Sequence, residues 1–579
     1  MDSERISERT VPGVFFRQVA RLGPRTLFHH HQDGRWAELG WQETGERVTR
    51  LAAALVEAGV EPGERVILMS ENRLEWLLCD LAIMTAGAVT VPVYQSTPAR
   101  TAQQIVDNSQ ARLAIVSGAE LAGRLRLERV VRMDAELPVW LEQAPDPASL
   151  ETLEKRAAAL SPDALATIVY TSGTTGEPKG VMLAHSNLVD MARGCLEEFE
   201  ISEEDSNLSF LPYSHVLERI NSILVLLAAG GTAWLSRGIE HLAEDIQAAG
   251  PTVMVAVPRV YEKMHQRVLE QVARAAPRRQ ALFRWALEQG RGRSRGQRAL
   301  LYPLADRLVL SRLRQRLTGG RLRFFVSGGA PLGRQVEEFF WSFGVPIYNG
   351  WGMTETSSGA TSNNPRRHRF ETVGTPLPGV RLQIAGDGEV LVQSPGNMLG
   401  YFRNEAATAE VLKDGWIHTG DIGELDADGF LRITDRKKDL IKTAGGKFVA
   451  PQPLESRLQQ EPIIERALVL GDERPYAVAL IVPDWDVLRR QLALEGEPEA
   501  LVEDGRARAA VQRPVDLLNA ELGSWERIKN FKLLAHDFSE ESGEITPTLK
   551  VKRRVVQERY REKIEDMYSS KLPTAEASH

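Results

Sequence analysis

Apolar residues recur at helical spacing over 49–58, fill 65–69, return to helical spacing over 74–86 and run together again over 88–93. A pattern that alternates between a 3.6-residue period and short apolar runs predicts helix, strand, helix, strand, the rhythm of an α/β fold. Upstream, 26–31 and 35–39 predict a hairpin turning at Asp33-Gly34. His29, His30 and His31 fall in its first strand, where successive side chains face opposite ways and cannot converge on one ion. Further on, 166–184 predicts two strands around a loop. Residues 322–326, 331–343 and 346–348 predict strand, helix and strand, with Pro331 in the first helical turn and Gly344 at the stop. Beyond about Asp435 the pattern changes to short strands, 467–470 and 477–482, followed by charged helices, so a domain boundary is expected near 435–438. The Ala/Pro/Glu-rich stretch 142–160 reads as a surface connection and 571–579 as a frayed tail.

The chain has 579 residues, enough for one large enzyme with an appended smaller domain. Lys plus Arg number 71 against 78 for Asp plus Glu, a net charge of −7 that argues against a dedicated nucleic-acid binder and makes any basic function local. One local exception is 274–316, where twelve arginines face only Glu288 and Asp306, a charge of +10, with Leu282, Phe283, Trp285, Leu300, Leu301 and Leu304 interleaved. That composition suits a peripheral contact with an anionic membrane, or a solvated insertion paired to acidic patches elsewhere. Cys79 and Cys195 are too few for a disulfide framework or a four-thiolate zinc site and point to a reducing compartment. The first ten residues are charged and carry no apolar run; 223–235 is too short to span a bilayer, and 76–93 is interrupted by Asp80, Gly87 and Pro92. The expected location is cytoplasmic.

Residues 168–183 read Ile-Val-Tyr-Thr-Ser-Gly-Thr-Thr-Gly-Glu-Pro-Lys-Gly-Val-Met-Leu. Glycines let backbone N–H groups turn toward an anion, hydroxyls add donors and Lys179 adds positive charge, so Thr171, Ser172, Gly173, Thr174, Thr175, Gly176 and Lys179 make a phosphate cradle. It is not the P-loop, because G-x-x-x-x-G-K-[ST] is absent and a strand follows the lysine. In Ser327-Gly-Gly-Ala-Pro331, Gly328 and Gly329, with Ala330 next, leave room for a flat ring on the backbone. In Tyr348-Asn-Gly-Trp-Gly-Met-Thr-Glu-Thr356, Glu355 follows Thr354 in a loop after a strand. In Asp414-Gly-Trp-Ile-His-Thr-Gly-Asp-Ile-Gly423, Asp421 is expected at a turn leaving strand 416–419, where one carboxylate can accept two hydroxyls. Asp435-Arg-Lys-Lys-Asp-Leu-Ile-Lys442 follows; alone, it would read as a solvated charge run.

These motifs, in this order and over nearly the whole chain, resemble the adenylate-forming acyl-CoA synthetase superfamily of acyl-CoA ligases, peptide-synthetase adenylation domains and beetle luciferases. The resemblance implies an α/β fold: a large N-terminal acid- and ATP-binding domain (1–435) of stacked α/β subdomains, a hinge at 436–438 turning on Lys438, and a small mobile α+β domain (439–579). It implies that Trp351 stacks on adenine beside Asn349 and Gly350, that Asp421 and Arg436 hold the ribose, and that Glu355 with Thr171 holds magnesium. The segment Phe210-Leu-Pro-Tyr-Ser-His-Val-Leu-Glu-Arg219 resembles the lining of an acyl pocket, with His215 near its carboxylate end; it lacks an aspartate between Leu211 and Leu217 to pair with an amino acid's ammonium group. Thr443 to Pro451 resembles long-chain fatty-acid CoA ligases, with Gly445, Gly446 and Lys447 along a coenzyme A channel. For the adenylating lysine the resemblance favours Lys550, where a loop broken by Pro547 enters a helix expected over 551–567; Lys552 is its rival, because Leu549 stands where most members carry glycine. The implied reaction joins a fatty acid to coenzyme A at the expense of ATP, with magnesium. An acyl-AMP ligase delivering to a carrier protein is the alternative, since it would share every nucleotide-binding residue.

Overall fold

The computed structural model describes residues 7–172, 178–444, 447–539, 541–546 and 551–569. The expected first unit is present: helix Trp41–Glu57, strand Arg65–Ser70, helix Leu74–Thr85 and strand Val89–Tyr94. The two strands pair in parallel within a seven-stranded sheet, whose order runs Gly400–Tyr401, Pro178–Ala184, Leu165–Ser172, Val89–Tyr94, Arg65–Ser70, Leu113–Val116 and Arg129–Arg132. Along Arg65–Ser70, Val66 and Leu68 enter one apolar cluster while Ile67 and Met69 enter another. A strand covered on both faces has no polar side to show, hence its unbroken apolar run.

The hairpin Thr26–Gln32 and Arg35–Gly40 turns at Asp33 and Gly34 as expected, both at positive φ. His29 stacks on Trp234 with ring centroids 3.8 Å apart. A five-stranded sheet carries Val253–Ala256, Phe324–Ser327 and Ile347–Trp351 in parallel. Another carries Glu389–Gln393 and Trp416–Leu425, with Leu431–Arg436 paired to the latter. Two further apolar cores draw only on residues after Leu440, around the sheet of Ile464–Leu470, Ala477–Pro483 and Ile528–Leu533.

Several expectations need correction. The stretch 142–160 contains helix Pro147–Ala159 rather than a bare connection, with Leu153 buried and Arg156 donating to the carbonyls of Val60 and Ala86. The helix expected from Pro331 begins at Arg334, leaving 331–333 outside it; its stop at Gly344, at φ +83°, stands. Asp421 lies inside strand Trp416–Leu425, because Gly420 at φ +71° and a register shift at Ile422/Gly423 let the glycines bend the strand without ending it. Helix 551–567 is two helices, Arg553–Arg559 and Arg561–Ser569, broken at Tyr560. Among the described residues, no helix is long and apolar enough to cross a membrane.

Within 274–316, helix Pro277–Ser294 crosses helix Arg334–Ser342 at Gly290, where a Cβ would stand 1.7 Å from the Ser342 carbonyl. That contact anchors the segment by one face. Phe283 and Leu287 are buried, while Leu300, Leu301, Leu304 and Leu308 remain exposed.

Candidate functional site

Parallel pairing of Ser327 with Asn349 brings the ends of two central strands together. Gly328 and Gly329 follow one of them, Gly329 at φ +85°. A Cβ on Gly328 would stand 3.3 Å from Leu217 Cδ1, so this backbone is pressed against the short helix Val216–Glu218. His215 caps that helix, its Nδ1 accepting from the Leu217 N–H at 3.1 Å. A neutral ring whose Nδ1 accepts carries its proton on Nε2.

Trp351 ends its strand half-buried, and its indole Nε1 donates to Asp421 Oδ2 at 2.8 Å. Asp421 is buried and sits cross-strand from Arg436, whose Nε donates to Oδ1 at 2.9 Å. Burial opposes the charge on Arg436, but Asp421, with Asp439 and Glu355 adding to it, outweighs burial and raises the guanidinium's pKa. Both Asp421 oxygens are therefore engaged, each keeping a further lone pair for another donor. Next along the chain, Lys437 Nζ binds Asp387 at 2.6 Å and Glu389 at 3.2 Å. Arg436 and Lys437 are thus pinned in place, unlike a freely solvated charge run.

Glu355 lies in a single tight turn, Thr354–Thr356, and is buried. Its Oε1 accepts from the Tyr401 hydroxyl at 2.7 Å. Lys179, paired across the hairpin with Thr171, holds its ammonium 5.2 Å from the centre of the Tyr401 ring. Tyr401 was not anticipated from the sequence: Gly400–Tyr401 is a two-residue strand, too short to leave a periodic signal.

A buried polar layer around segment 210–219 was also missed. Arg219 grips Asp80 through two hydrogen bonds, 2.8 and 2.5 Å, and donates to Thr167 Oγ1 at 2.7 Å. Thr167, on strand Leu165–Ser172, donates in turn to the Thr90 carbonyl. Glu218 is fully buried beside Ser209, and burial pushes its carboxyl up to about 8. The apolar periodicity of 216–229 gives no sign that a turn of π-helix, Arg219–Leu224, interrupts it.

A cleft of about 2190 Å³ is lined by Gly329, Ala330, Asn349, Gly350, Trp351, Asp421, Arg436 and Lys438, and also by Val551 and Lys552 of the C-terminal part. Its far wall is tied to helix Pro258–Ala273: Arg259 and Lys263 both pair with Glu465, and Gln266 donates to Asp484. His215 and Glu355 are outside this lining. Gly173, Thr174, Thr175, Gly176, Gly445, Gly446 and Lys550 lie outside the described residues, as does the side chain of Ser172. Lys447 holds its ammonium 5.6 Å from the Trp525 ring centre.

Two family models match the chain: AMP-binding enzyme over residues 15–402, and AMP-binding enzyme C-terminal domain over 438–572. The chain belongs to the AMP-binding enzyme family. Among its relatives, the long-chain-fatty-acid–CoA ligase FadD15 of Mycobacterium tuberculosis is 37% identical over 567 residues, 93% of each chain. Fatty acyl-CoA synthetase A of Dictyostelium discoideum is 30% identical over 592 residues, 95% of this chain and 88% of its own. Among solved structures, the adenylation domain of a carboxylic acid reductase from Segniliparus rugosus, in complex with AMP and a co-purified carboxylic acid, superposes with a TM-score of 0.77 at 21% identity. The match covers 98% of this chain and 95% of that one. At that identity the likeness is one of fold, and it agrees with the stacked α/β architecture and appended C-terminal unit expected from the sequence.

Proposed function

We propose that this protein activates a long-chain fatty acid with ATP, releasing pyrophosphate, and passes the acyl group from acyl-AMP to coenzyme A. The observation that carries the reading is the shared cleft, where Trp351, Asp421 and Arg436 from one side meet Lys552 from the other. That is the arrangement a nucleotide held by one unit and attended by a second requires, in a chain that resembles fatty-acid CoA ligases along 93% of its length.

In the first step a carboxylate oxygen attacks the α-phosphorus and the bond to pyrophosphate breaks; in the second the coenzyme A thiolate attacks the acyl carbon and AMP leaves. Splitting the reaction replaces a poor electrophile, the carboxylate, with a mixed anhydride. Asp421 accepts from the ribose hydroxyls through its remaining lone pairs, with Arg436 fixing the carboxylate's orientation. Trp351 offers a ring face to adenine beside Asn349 and Gly350, and His215 attends the carboxylate end of the acid. Thr171, Ser172, Gly173, Thr174, Thr175, Gly176 and Lys179 cradle the phosphates. The hinge is placed at 436–438, between the 1–435 and 439–579 units, and Gly445, Gly446 and Lys447 border the thiol's approach.

No group of three or more metal-ligating side chains occurs among the described residues. The donors proposed for the ion, the Glu355 carboxylate and the Thr171 hydroxyl, suit by their chemistry a hard cation that keeps most of its waters and shares phosphate oxygens, as magnesium does. When bound, the ion supplies positive charge to the triphosphate.

The test is pyrophosphate release across C2 to C18 acids, with and without coenzyme A. The reading expects release to rise toward long chains and thioester to form only with coenzyme A. Acyl-AMP that accumulates and transfers only to a carrier protein would overturn the choice of acceptor.

The segment 274–316 is further proposed to meet an anionic membrane surface, from which a sparingly soluble acid is collected. Its support is the exposed Leu300, Leu301, Leu304 and Leu308 set among the arginines. Basic residues near such a surface contribute about 1 kcal/mol each and are screened by salt. Reversing the charge of Arg291, Arg293, Arg295 and Arg298 together should abolish binding to anionic vesicles at low salt; unchanged binding removes this segment as the contact.

A further inference from the structure

Resting on the ATP-dependent reading above, we propose that Tyr401 is a positioning residue for the adenylation step, fixing Glu355 and Lys179 relative to each other. Both charged groups lean on this one side chain: its hydroxyl donates to Glu355 Oε1 at 2.7 Å, and the Lys179 ammonium lies over its ring at 5.2 Å. Glu355 and Lys179 sit on separate segments, a single turn and a strand of the seven-stranded sheet.

The backbone makes the tyrosine a rigid spacer. The Met398 N–H donates to the Glu355 carbonyl at 2.8 Å, Leu399 N–H to the Met182 carbonyl at 2.9 Å, and Phe402 N–H to the Gly180 carbonyl at 2.7 Å. Tyr401 itself pairs with Val181 as an edge strand, and its N–H is held by Thr408 Oγ1 at 2.8 Å. The segment 398–402 therefore stitches the Glu355 turn to the strand that carries Lys179, with the Tyr401 ring between the two charges.

The chemistry of the contact sorts the two carboxylate oxygens. A phenol that donates to Oε1 fixes the rotation of the carboxylate and leaves its other lone pairs for a cation. The Lys179 ammonium meanwhile rests on the negative face of the ring, which restrains a long side chain before phosphate arrives.

Two variants separate the contacts. Tyr401→Phe keeps the ring and loses the hydroxyl; Tyr401→Leu loses both. The first readout is the magnesium dependence of the rise in melting temperature produced by α,β-methylene-ATP, a measurement that needs no turnover. Removing a partner that orients a metal-binding side chain typically weakens metal affinity about 10- to 100-fold, so Tyr401→Phe should need about that much more magnesium for half the thermal shift. Acyl-AMP formation should fall with it, while conversion of supplied acyl-AMP and coenzyme A to thioester stays as in the wild type. Tyr401→Leu should in addition raise KM for ATP, as Lys179 loses its platform. A Tyr401→Phe protein with wild-type magnesium dependence overturns the proposal, and so does equal loss in both half-reactions, which would mark a merely structural role. If the wild type binds the magnesium–nucleotide pair yet releases no pyrophosphate with any fatty acid, the substrate reading fails and this assignment stands.

Discussion

Asp421, proposed to hold the ribose, is also part of the scaffold, since the indole of Trp351 and the guanidinium of Arg436 already occupy one oxygen each. Asp421→Ala should therefore lower adenylation by about 10² to 10³, the usual loss for one preorganised charge contact. It should also lower the melting temperature, because it strands Arg436; Asp421→Asn, which still accepts from the indole, should melt closer to wild type while remaining slow. Near-normal pyrophosphate release from a folded Asp421→Ala protein at saturating ATP would remove the ribose role. Glu218 makes a different prediction. Its carboxyl, raised by burial from an ordinary 4.5 to about 8, binds a proton in the folded state that the unfolded chain has released. Between those values the folded state holds more protons, so this group's contribution to stability falls as pH rises. Glu218→Gln cannot ionise and can still bond Ser209, so its melting temperature relative to wild type should climb from pH 5 to pH 9. A difference independent of pH would show that Glu218 is not buried in its neutral form.

At the scale of elements, Lys552 is the N-cap of helix Arg553–Arg559, and its N–H is bonded to the Glu544 carbonyl at 2.7 Å. The next residue, Arg553, is locked to buried Glu455 and to the Val469 carbonyl, which fixes where the closing segment enters the cleft. From the sequence, Lys550 remains the choice for adenylation. Lys550→Ala should cut acyl-AMP formation by about 10² to 10³ while still converting supplied acyl-AMP to thioester, and Lys552→Ala should leave the first step nearly intact. The reverse result, measured as pyrophosphate release, would move the role by two positions. The elements legible in the sequence are those whose burial is periodic or whose turn chemistry is compulsory: the strand 65–70, apolar on both faces, and the Asp33-Gly34 turn, with both residues at positive φ. Helix Pro147–Ala159 escaped notice because it buries little more than Leu153 and is held by the Arg156 guanidinium, which carries no apolar pattern. The glycines around Asp421 read as a turn because sequence alone cannot distinguish a strand's end from a bulge within it. The candidate site residues stand in motifs, yet their contacts were not legible. Nothing local links Trp351 to Asp421 or Tyr401 to Glu355, which lie 70 and 46 positions apart.

For the whole molecule, the proposed two-step reaction needs the C-terminal unit to turn about 436–438, and any contact between the units in this pose must then break. The contact most exposed to that demand is Glu465, which serves Arg259 and Lys263 of helix Pro258–Ala273 together. Exposed ion pairs contribute about 0 to 1 kcal/mol, but two cations on one partly buried carboxylate place this one toward the upper end. Glu465 lies outside the residues assigned to nucleotide, acid or thiol, so changing it should alter the balance of poses and not the chemistry. Glu465→Gln should therefore slow whichever half-reaction uses this pose and speed the other, each by up to about 5-fold, the factor corresponding to a 1 kcal/mol shift. Acyl-AMP formation and thioester formation from supplied acyl-AMP, measured separately, read the two poses directly. Raising the salt concentration should shift the wild type in the same direction, since screening weakens the same contact. If both half-reactions of Glu465→Gln match the wild type at low salt, the contact plays no part in setting the pose and the turn is governed by the hinge alone.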